Sequence, residues 1–345
     1  LAIDGNEEFR YKVDSDEGCQ LRCFVFASRR ALTRFSSMSF VLLMDSTYKT
    51  NRFDMPLLLI SSVDQFGKSY VVACCLLRDE TTASCNLALA AFKSLFGSTS
   101  PSVDTIITDQ DNALINAIDG QFPTSKHQLC CWHLNMNVRK KFATNPLLCM
   151  KFVDFMYSKT EDKAEYFYSY MINNCSAKQK RYLTRLYSMK CRYVEAWVGK
   201  YRNLGIRATQ RAEGINHVFK RLLKTDSPLV DLFHALHSMT NSHEEMREFM
   251  EFEMRDKQKV YHPLISSLVG HVSNYLLDLM ELECTKMRWI IIGATGDDHF
   301  FSDSHKFSSR LGCDCPFFVQ YAAPCTHALM VRGVSALEFL HPAWR

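Results

Sequence analysis

The sequence predicts an α/β fold: a mixed five-stranded sheet with helices, interrupted by an all-helical insertion and followed by a small zinc module. Three observations predict it. Five apolar runs of strand length fall within the first 131 residues. From about residue 134 to residue 205 glycine is absent until Gly199, and the apolar spacing turns helical. A cluster of cysteines and one histidine closes the chain between residues 313 and 327.

Each element has its own signal. Residues 39–45 (SFVLLMD) and 56–63 (PLLLISSV) are continuous apolar runs of the kind buried on both faces of a sheet. Residues 69–77 (SYVVACCLL) form a third run, joined to the second by Asp64-Gln65-Phe66-Gly67, a hairpin signal. Leu87, Ala91, Phe92 and Leu95 recur at helical spacing within residues 81–96. Residues 104–109 (DTIITD) read as a short buried strand, 112–118 as a brief helix capped by Asp111, and 127–131 as a fifth strand. Further helices are expected over 212–224, over 228–259 and from His262-Pro263 to about Cys284. The expected divisions are a lead-in over 1–38, a core over 39–133, the insertion over 134–208, a returning core helix with its followers over 209–290, and the metal module over 291–345.

Composition excludes several classes. The 345 residues are 47% hydrophobic and 23% charged, which rules out a disordered or collagen-like chain. No apolar run reaches the ~18–20 residues that span a bilayer. Fourteen cysteines are scattered without a dense framework, so a reduced intracellular chain with one or two metal sites is expected. The chain starts at Leu1 with no charged-then-apolar leader and is expected to be part of a longer protein. Charge is uneven: residues 178–224 hold thirteen Lys/Arg against Glu195 and Glu213, a local +11 in a chain whose total is +4. Such a segment can contact phosphates, or it can be a solvated helical face.

Two acids end apolar strands, Asp45 in LLMDSTYKTN and Asp109 in TIITDQDNAL. An acid there is costly unless it is paired, hydrogen-bonded or holding a cation. Mg²⁺ accepts carboxylate oxygens together with substrate phosphates. Glu213, inside the basic segment, is the best third ligand. Each acid also has a plain alternative: an Asx turn at Asp45, a turn at Asp109, an exposed helix acid at Glu213.

The phrases DSTYKTNRFDMPLLLISSVDQFGKSYVVACCLL, TDQDNALINAI and FPTSKHQLCCWHLNMNV resemble the transposase domain of Mutator-like elements, a family that includes domesticated plant descendants in the far-red-response group. The resemblance covers residues 11–142 and resumes at 209–220. It implies a ribonuclease-H-like fold with a DDE triad on Asp45, Asp109 and Glu213, followed by Asn216 and Lys220 of the family pattern. It implies Mg²⁺ (or Mn²⁺), cleavage of phosphodiesters and strand transfer into target DNA. The partner is then double-stranded DNA at element ends and targets, with a homo-oligomer compatible, no membrane, and a place in the nucleus. The alternative is a domesticated, catalytically inactive DNA-binding regulator on the same fold, or, less favoured, a module that binds only proteins. Cys130 and His133 match the family's C-x-x-H; read from the residues they are a buried Cys and a packing His. With Arg207, Arg211 and Lys220 they are assigned to DNA contact or structure. Gly214 departs from the family, which has small polar residues there. An upstream DNA-binding domain is also expected.

Cys313, Cys315, Cys325 and His327 form C-x-C-x₉-C-x-H, four ligands suited to a closed tetrahedral Zn²⁺. Pro316 and Pro324 stiffen the loop. The spacing resembles the SWIM zinc finger, which often follows such transposase domains.

Overall fold

The computed structural model describes residues 9–256, 259–285, 293–295, 299–302, 305–308, 312–329 and 340–344. The expectations that touch Leu1, and parts of the 257–292 and 330–345 stretches, lie outside these residues. The described chain divides into two compact units, one built from residues up to 62 with 69–240, the other from 63–68 with 241 onward.

In the first unit one mixed sheet has seven strands: β1 (Phe9–Ser15), β2 (Leu21–Ser28), β3 (Val41–Thr47), β4 (Leu57–Val63), β5 (Ser69–Leu77), β6 (Thr105–Thr108) and β7 (Lys126–Leu129), in the order β1-β2-β5-β4-β3-β6-β7. This corrects the expected five. The two extra strands lie in the segment read as a lead-in. β1 (FRYKVDS) carries Arg10, Lys12 and Asp14 and sits at the sheet edge, where charge is tolerated and protects against further pairing. Its turn to β2 is tied by Asp16 Oδ1, which accepts from the amides of Gly18 (3.1 Å) and Gln20 (2.9 Å). The fifth expected strand is shorter than read: β7 stops at Leu129, and helix begins at Cys131.

Alternation along the central strands creates two faces. Leu42, Met44, Leu58, Ile60, Val72 and Ile106 pack on one side beneath α1 (Arg29–Ser37), α2 (Thr82–Ser94) and α3 (Asn112–Gln121). α2 buries Cys85, Ala88, Leu89 and Phe92, the i, i+3, i+4, i+7 stripe of an amphipathic helix, and Thr81 caps it. Five helices follow β7: α4 (Cys131–Lys141), α5 (Pro146–Met156), α6 (Glu161–Asn173), α7 (Ala177–Ser188) and α8 (Glu195–Val198). They enclose their own core around Phe142, Phe152, Phe155, Tyr193 and Leu186. The chain then returns to the sheet. α9 (Gln210–Leu222) lays Ile215 and Phe219 on Leu57, Leu59, Val71 and Cys74 of the second face, joined by Leu232 and Leu236 from α10 (Leu229–Asp256). Each of these fully buried side chains contributes roughly 1.5–3 kcal/mol.

In the second unit α11 (Asn274–Thr285) starts later than the sequence suggests. Residues 262–273 form turns and a short 3-10 helix (Ser266–Leu268), punctuated by Pro263 and by Gly270 at φ +81°. Four short strands, β8 (Gly293–Thr295), β9 (His299–Ser302), β10 (His305–Ser308) and β11 (Gly312–Cys313), form a sheet in the order β11-β10-β9-β8. α12 (Pro316–Tyr321) and α13 (Thr326–Leu329) follow. Among the described residues no helix is long and apolar enough to cross a membrane.

Gly214 is exposed on α9, and a Cβ there would meet nothing within 4 Å. Gly214→Ala is therefore expected to stabilise the chain by about 1 kcal/mol. A urea titration reads this as a raised midpoint; an unchanged or lower midpoint would mean that the position needs glycine for a reason other than space.

Candidate active site

The sheet brings the first two acids together. β3 and β6 run parallel with Val41 opposite Thr105 and Leu43 opposite Ile107. Continuing that register past the end of β6 sets Asp45 beside Asp109. Both lie at the C-terminal ends of neighbouring parallel strands inside the sheet, on the face opposite Met44 and Ile106. Glu213 arrives from α9, on the same face as Asn216, His217 and Lys220. All six line one pocket of about 250 Å³, together with His133, Tyr48, Glu80 and Asp111.

The side chains are held individually. Asn216 Nδ2 donates to Asp45 Oδ2 at 2.5 Å in a buried contact. Asp109 Oδ1 accepts the Asp111 amide at 3.2 Å, and Asp111 Oδ1 caps α3 through the Leu114 amide at 2.8 Å. His133 Nε2 lies 3.4 Å from Glu213 Oε1, an ion-pair distance without hydrogen-bond alignment. The Cys130 sulfur, buried at the N-terminus of α4, accepts from the amides of His133 (3.5 Å) and Thr209 (3.3 Å). One sulfur thus ties the start of α4 to the residue before α9, and so sets His133 against Glu213. Thr209 Oγ1 lies 3.3 Å from His133 Nδ1 on the other side of the ring.

Crowding acids in a buried pocket shifts their protonation. Burial, then the Asp109 charge, pushes Asp45 up to about 7, with Glu213 adding to the rise. Burial also raises Asp109, against the Asp111 amide bond and the His133 charge. His133 is pushed up to about 8, first by its bond to Cys130, then by the Cys130, Glu213 and Asp45 charges against a loss from burial. Burial raises the Cys130 thiol, but the bonds from His133 and Thr209 outweigh it and leave the thiol below its ordinary value.

The donor set suits a hard divalent cation. Glu213 Oε1 and Asn216 Oδ1 are buried acceptors with no hydrogen-bond donor. Both residues line a pocket with the carboxylates of Asp45, Glu80, Asp109 and Asp111, the chemistry that Mg²⁺ and Mn²⁺ prefer, and with His133, His217 and Cys85.

The other residues singled out from sequence separate. Lys220 lines the pocket. Arg211 is exposed and donates to Ser69 Oγ at 3.3 Å, away from the pocket lining. Arg207 is a clamp within the fold: it bonds Glu195, the Met156 and Tyr193 carbonyls and the Cys131 sulfur. His133, read as a packing residue, is 27% exposed at the pocket instead. The basic segment is partly neutralised in space, because Lys190, Arg192, Lys200, Arg202 and Arg207 pair with Glu165, Asp119, Glu161, Asp104 and Glu195. Sequence reasoning missed Tyr48 and Glu80, whose side chains share a 2.6 Å hydrogen bond at the pocket. Tyr48, three residues after Asp45, was open to discovery; Glu80 gave no signal, since only the path of β5 into α2 carries it there.

In the second unit Cys313, Cys315, Cys325 and His327 bring their ligand atoms within 4.8 Å of one another, so this group could hold a metal ion. The Cys313 and Cys325 sulfurs lie 3.6 and 3.7 Å from His327 Nδ1. Sulfurs bound at about 2.3 Å around one tetrahedral Zn²⁺ would be about 3.8 Å apart, so little rearrangement is needed. Hydrogen bonds from Cys315 and Cys325 push the Cys313 thiol down, the thiolate form that a metal takes. Thr326 Oγ1 fastens the cluster to α11 through the Glu283 carbonyl at 2.8 Å.

The resemblance read from the sequence is borne out by comparison with known proteins. Residues 41–137 match the family model of the MULE transposase domain. The chain is 21% identical to Protein FAR-RED IMPAIRED RESPONSE 1 of Arabidopsis thaliana, over 98% of this chain and 44% of that protein. It is 25% identical to Protein FAR1-RELATED SEQUENCE 11 of the same plant, over 66% of this chain and 33% of that protein. With Protein FAR1-RELATED SEQUENCE 4 the identity is 21%, over 96% and 48%. The chain thus spans less than half the length of these relatives.

Two outcomes follow. Without a bound cation the folded chain keeps a proton on Asp45 up to about pH 7, which the unfolded chain releases near 4. Through this group the metal-free fold loses stability as pH rises from about 4 to 7 and levels off above. Asp45→Asn is expected to raise the urea midpoint at pH 8, by on the order of 4 kcal/mol at most, at about 1.4 kcal/mol per tenfold change in proton affinity. Little change is expected at pH 4, and equal gains at both values would mean that charge burial is not the cause. For the cysteine cluster, elemental analysis of Cys325→Ser should show one equivalent of zinc fewer than the parent chain; an unaltered zinc content removes the assignment.

Proposed function

We propose that this chain is the core of a DNA transposase of Mutator-like type, cleaving phosphodiesters and transferring strands at a site made by Asp45, Asp109 and Glu213. The observation that carries the reading is the meeting of these three acids, from two parallel strands and one helix, in a pocket that also holds the orphaned oxygens of Glu213 and Asn216. The sheet order supports a ribonuclease-H-like assignment: from β5 to β7 it runs β5-β4-β3-β6-β7, with β4 antiparallel to β3 and β6 and β7 parallel to it. The divisions expected from sequence, core over 39–133, insertion over 134–208 and returning helix from 209, are kept as part of this reading, with a SWIM-type module on the 313–327 cluster.

Asp45, Asp109 and Glu213 would hold Mg²⁺ or Mn²⁺. The ion, when bound, supplies a positive centre that lowers the pKa of a coordinated water and neutralises charge on phosphoryl oxygens. The protein's own groups do the placing. Asn216 fixes one Asp45 oxygen and leaves its own Oδ1 facing the pocket. His133, set by Cys130 and Thr209, carries positive charge beside Glu213 and limits the repulsion among the acids. Lys220 lines the pocket, Arg211 and Arg221 are exposed on the same helix and Lys224 just past its end, where a DNA backbone can be met. DNA ends and target DNA are the partners of this reading, the nucleus its compartment, and a homo-oligomer is compatible with it.

A second reading is a regulator that grips DNA on this fold without cutting it. It is favoured by one relative, whose name refers to an impaired far-red response. The two separate in one experiment. Full-length protein with DNA carrying the element's terminal repeats and Mg²⁺ should cut the strand, and Asp109→Asn should lower cutting at least about 100-fold while leaving DNA binding in place. Binding without cutting by the parent protein would support the regulator.

A further inference from the structure

Along β6 and β7 a polar chain, buried at His127 and Thr108, runs from Asp119 of α3 and Arg192 of the helical insertion to the backbone of Asp109. Asp119 pairs with Arg192 at 2.8 Å, and Arg192 Nη1 lies 2.6 Å from His127 Nδ1. His127 Nε2 lies 2.9 Å from Thr108 Oγ1, and Thr108 Oγ1 lies 2.7 Å from the Asp109 carbonyl oxygen. The His127 side chain is 4% exposed and Thr108 is fully buried. Neither residue lines the pocket.

The direction of every bond follows from the end groups. A guanidinium has donors only, so His127 Nδ1 must accept. The imidazole is then neutral with its proton on Nε2, and it donates to Thr108 Oγ1. A carbonyl only accepts, so the Thr108 hydroxyl proton must point to Asp109. One arrangement of protons satisfies every contact on this path.

We infer that Thr108, oriented by His127 and Arg192, is a positioning residue that fixes the backbone turn carrying Asp109, so that the insertion sets the geometry of the acid pocket. This deepens the site reading above and rests on Asp109 being a metal ligand. The physical case is geometric. β6 ends at Thr108, so Asp109 lies one residue beyond the strand and outside its ladder. Its carboxylate is held by the Asp111 amide at 3.2 Å, and the Thr108 hydroxyl holds its carbonyl. The backbone carbonyl of Thr108 is also occupied, by the Cys130 amide at 2.7 Å, so both sides of the turn are pinned. The chain also explains an otherwise costly choice: a neutral histidine and an arginine side by side, with burial pushing the imidazole down to about 4.

The test uses the full chain in its zinc-loaded form and Mn²⁺ as probe. Imidazole ¹⁵N resonances of His127 at pH 7 should report the Nε2–H tautomer; an Nδ1–H ring or an imidazolium overturns the chain. Mn²⁺ binding, followed by electron paramagnetic resonance, should weaken about five-fold in Thr108→Val and return to within about two-fold of the parent in Thr108→Ser. Thermal melting is recorded beside it. Affinity that is equal in all three proteins, or that falls only in step with the melting temperature and is not rescued by serine, overturns the positioning role. A parent chain with the expected tautomer but no Mn²⁺ binding overturns both this role and the metal site, and so marks the earlier reading as the one that failed.

Discussion

Like charges in a dry place repel, and the first unit is arranged around that constraint. Asp45, Asp109 and Glu213 share one pocket with Glu80 and Asp111 close by. At the effective dielectric of a protein interior, two charges a few ångströms apart repel by several kcal/mol. The fold does not cancel this repulsion completely. It offers Asp45 an amide from Asn216, Asp109 an amide from Asp111, and Glu213 the ring of His133. Burial first, and then what remains of the repulsion, pushes Asp45 and Asp109 toward the neutral form, and a divalent cation is the simplest group that would relieve it.

Holding such a site together takes stiffness. The apolar faces of the central strands supply most of it, with Leu42, Leu43, Leu59 and Ile60 fully buried. The helical insertion supplies the rest through polar contacts at the β6–β7 side of the sheet. Thr105 Oγ1 donates to the Arg202 carbonyl at 2.7 Å, and Asn203 Nδ2 to Gln128 Oε1 at 3.2 Å. Arg207 locks α4 to the return of the chain, with the Cys131 amide donating to its carbonyl at 2.9 Å. These contacts explain why so many cations of the basic segment are spent inside the unit rather than offered to a partner. Of the exposed cations on α9, Lys220 lines the pocket.

The cysteine–histidine cluster obeys a different logic. Its two helices are six and four residues long, too short to be stable alone. Three buried sulfurs and an imbedded imidazole at their junction are a poor apolar core but a good cage for a soft cation, so bound metal would supply much of the folding energy there.

Local pattern was enough to place most of what matters. The runs at 39–45, 56–63 and 69–77, the cap at Asp111, and the four ligands between Cys313 and His327 all follow from short-range rules of periodicity, turn chemistry and spacing. The two strands before residue 30 escaped because β1 is an edge strand whose exposed positions carry charge and dilute the alternation. Three things were decided only in three dimensions. The parallel register of β3 and β6 sets Asp45 beside Asp109. The 103 residues between Asp109 and Glu213 had to fold before their ends could meet. And His133, Asn216 and Glu80 acquired their surroundings from elements distant in the chain. A sequence carries the identity of a charged group and its local conformation, but the energy of that group depends on which charges and how little water surround it, and that is a property of the assembled fold.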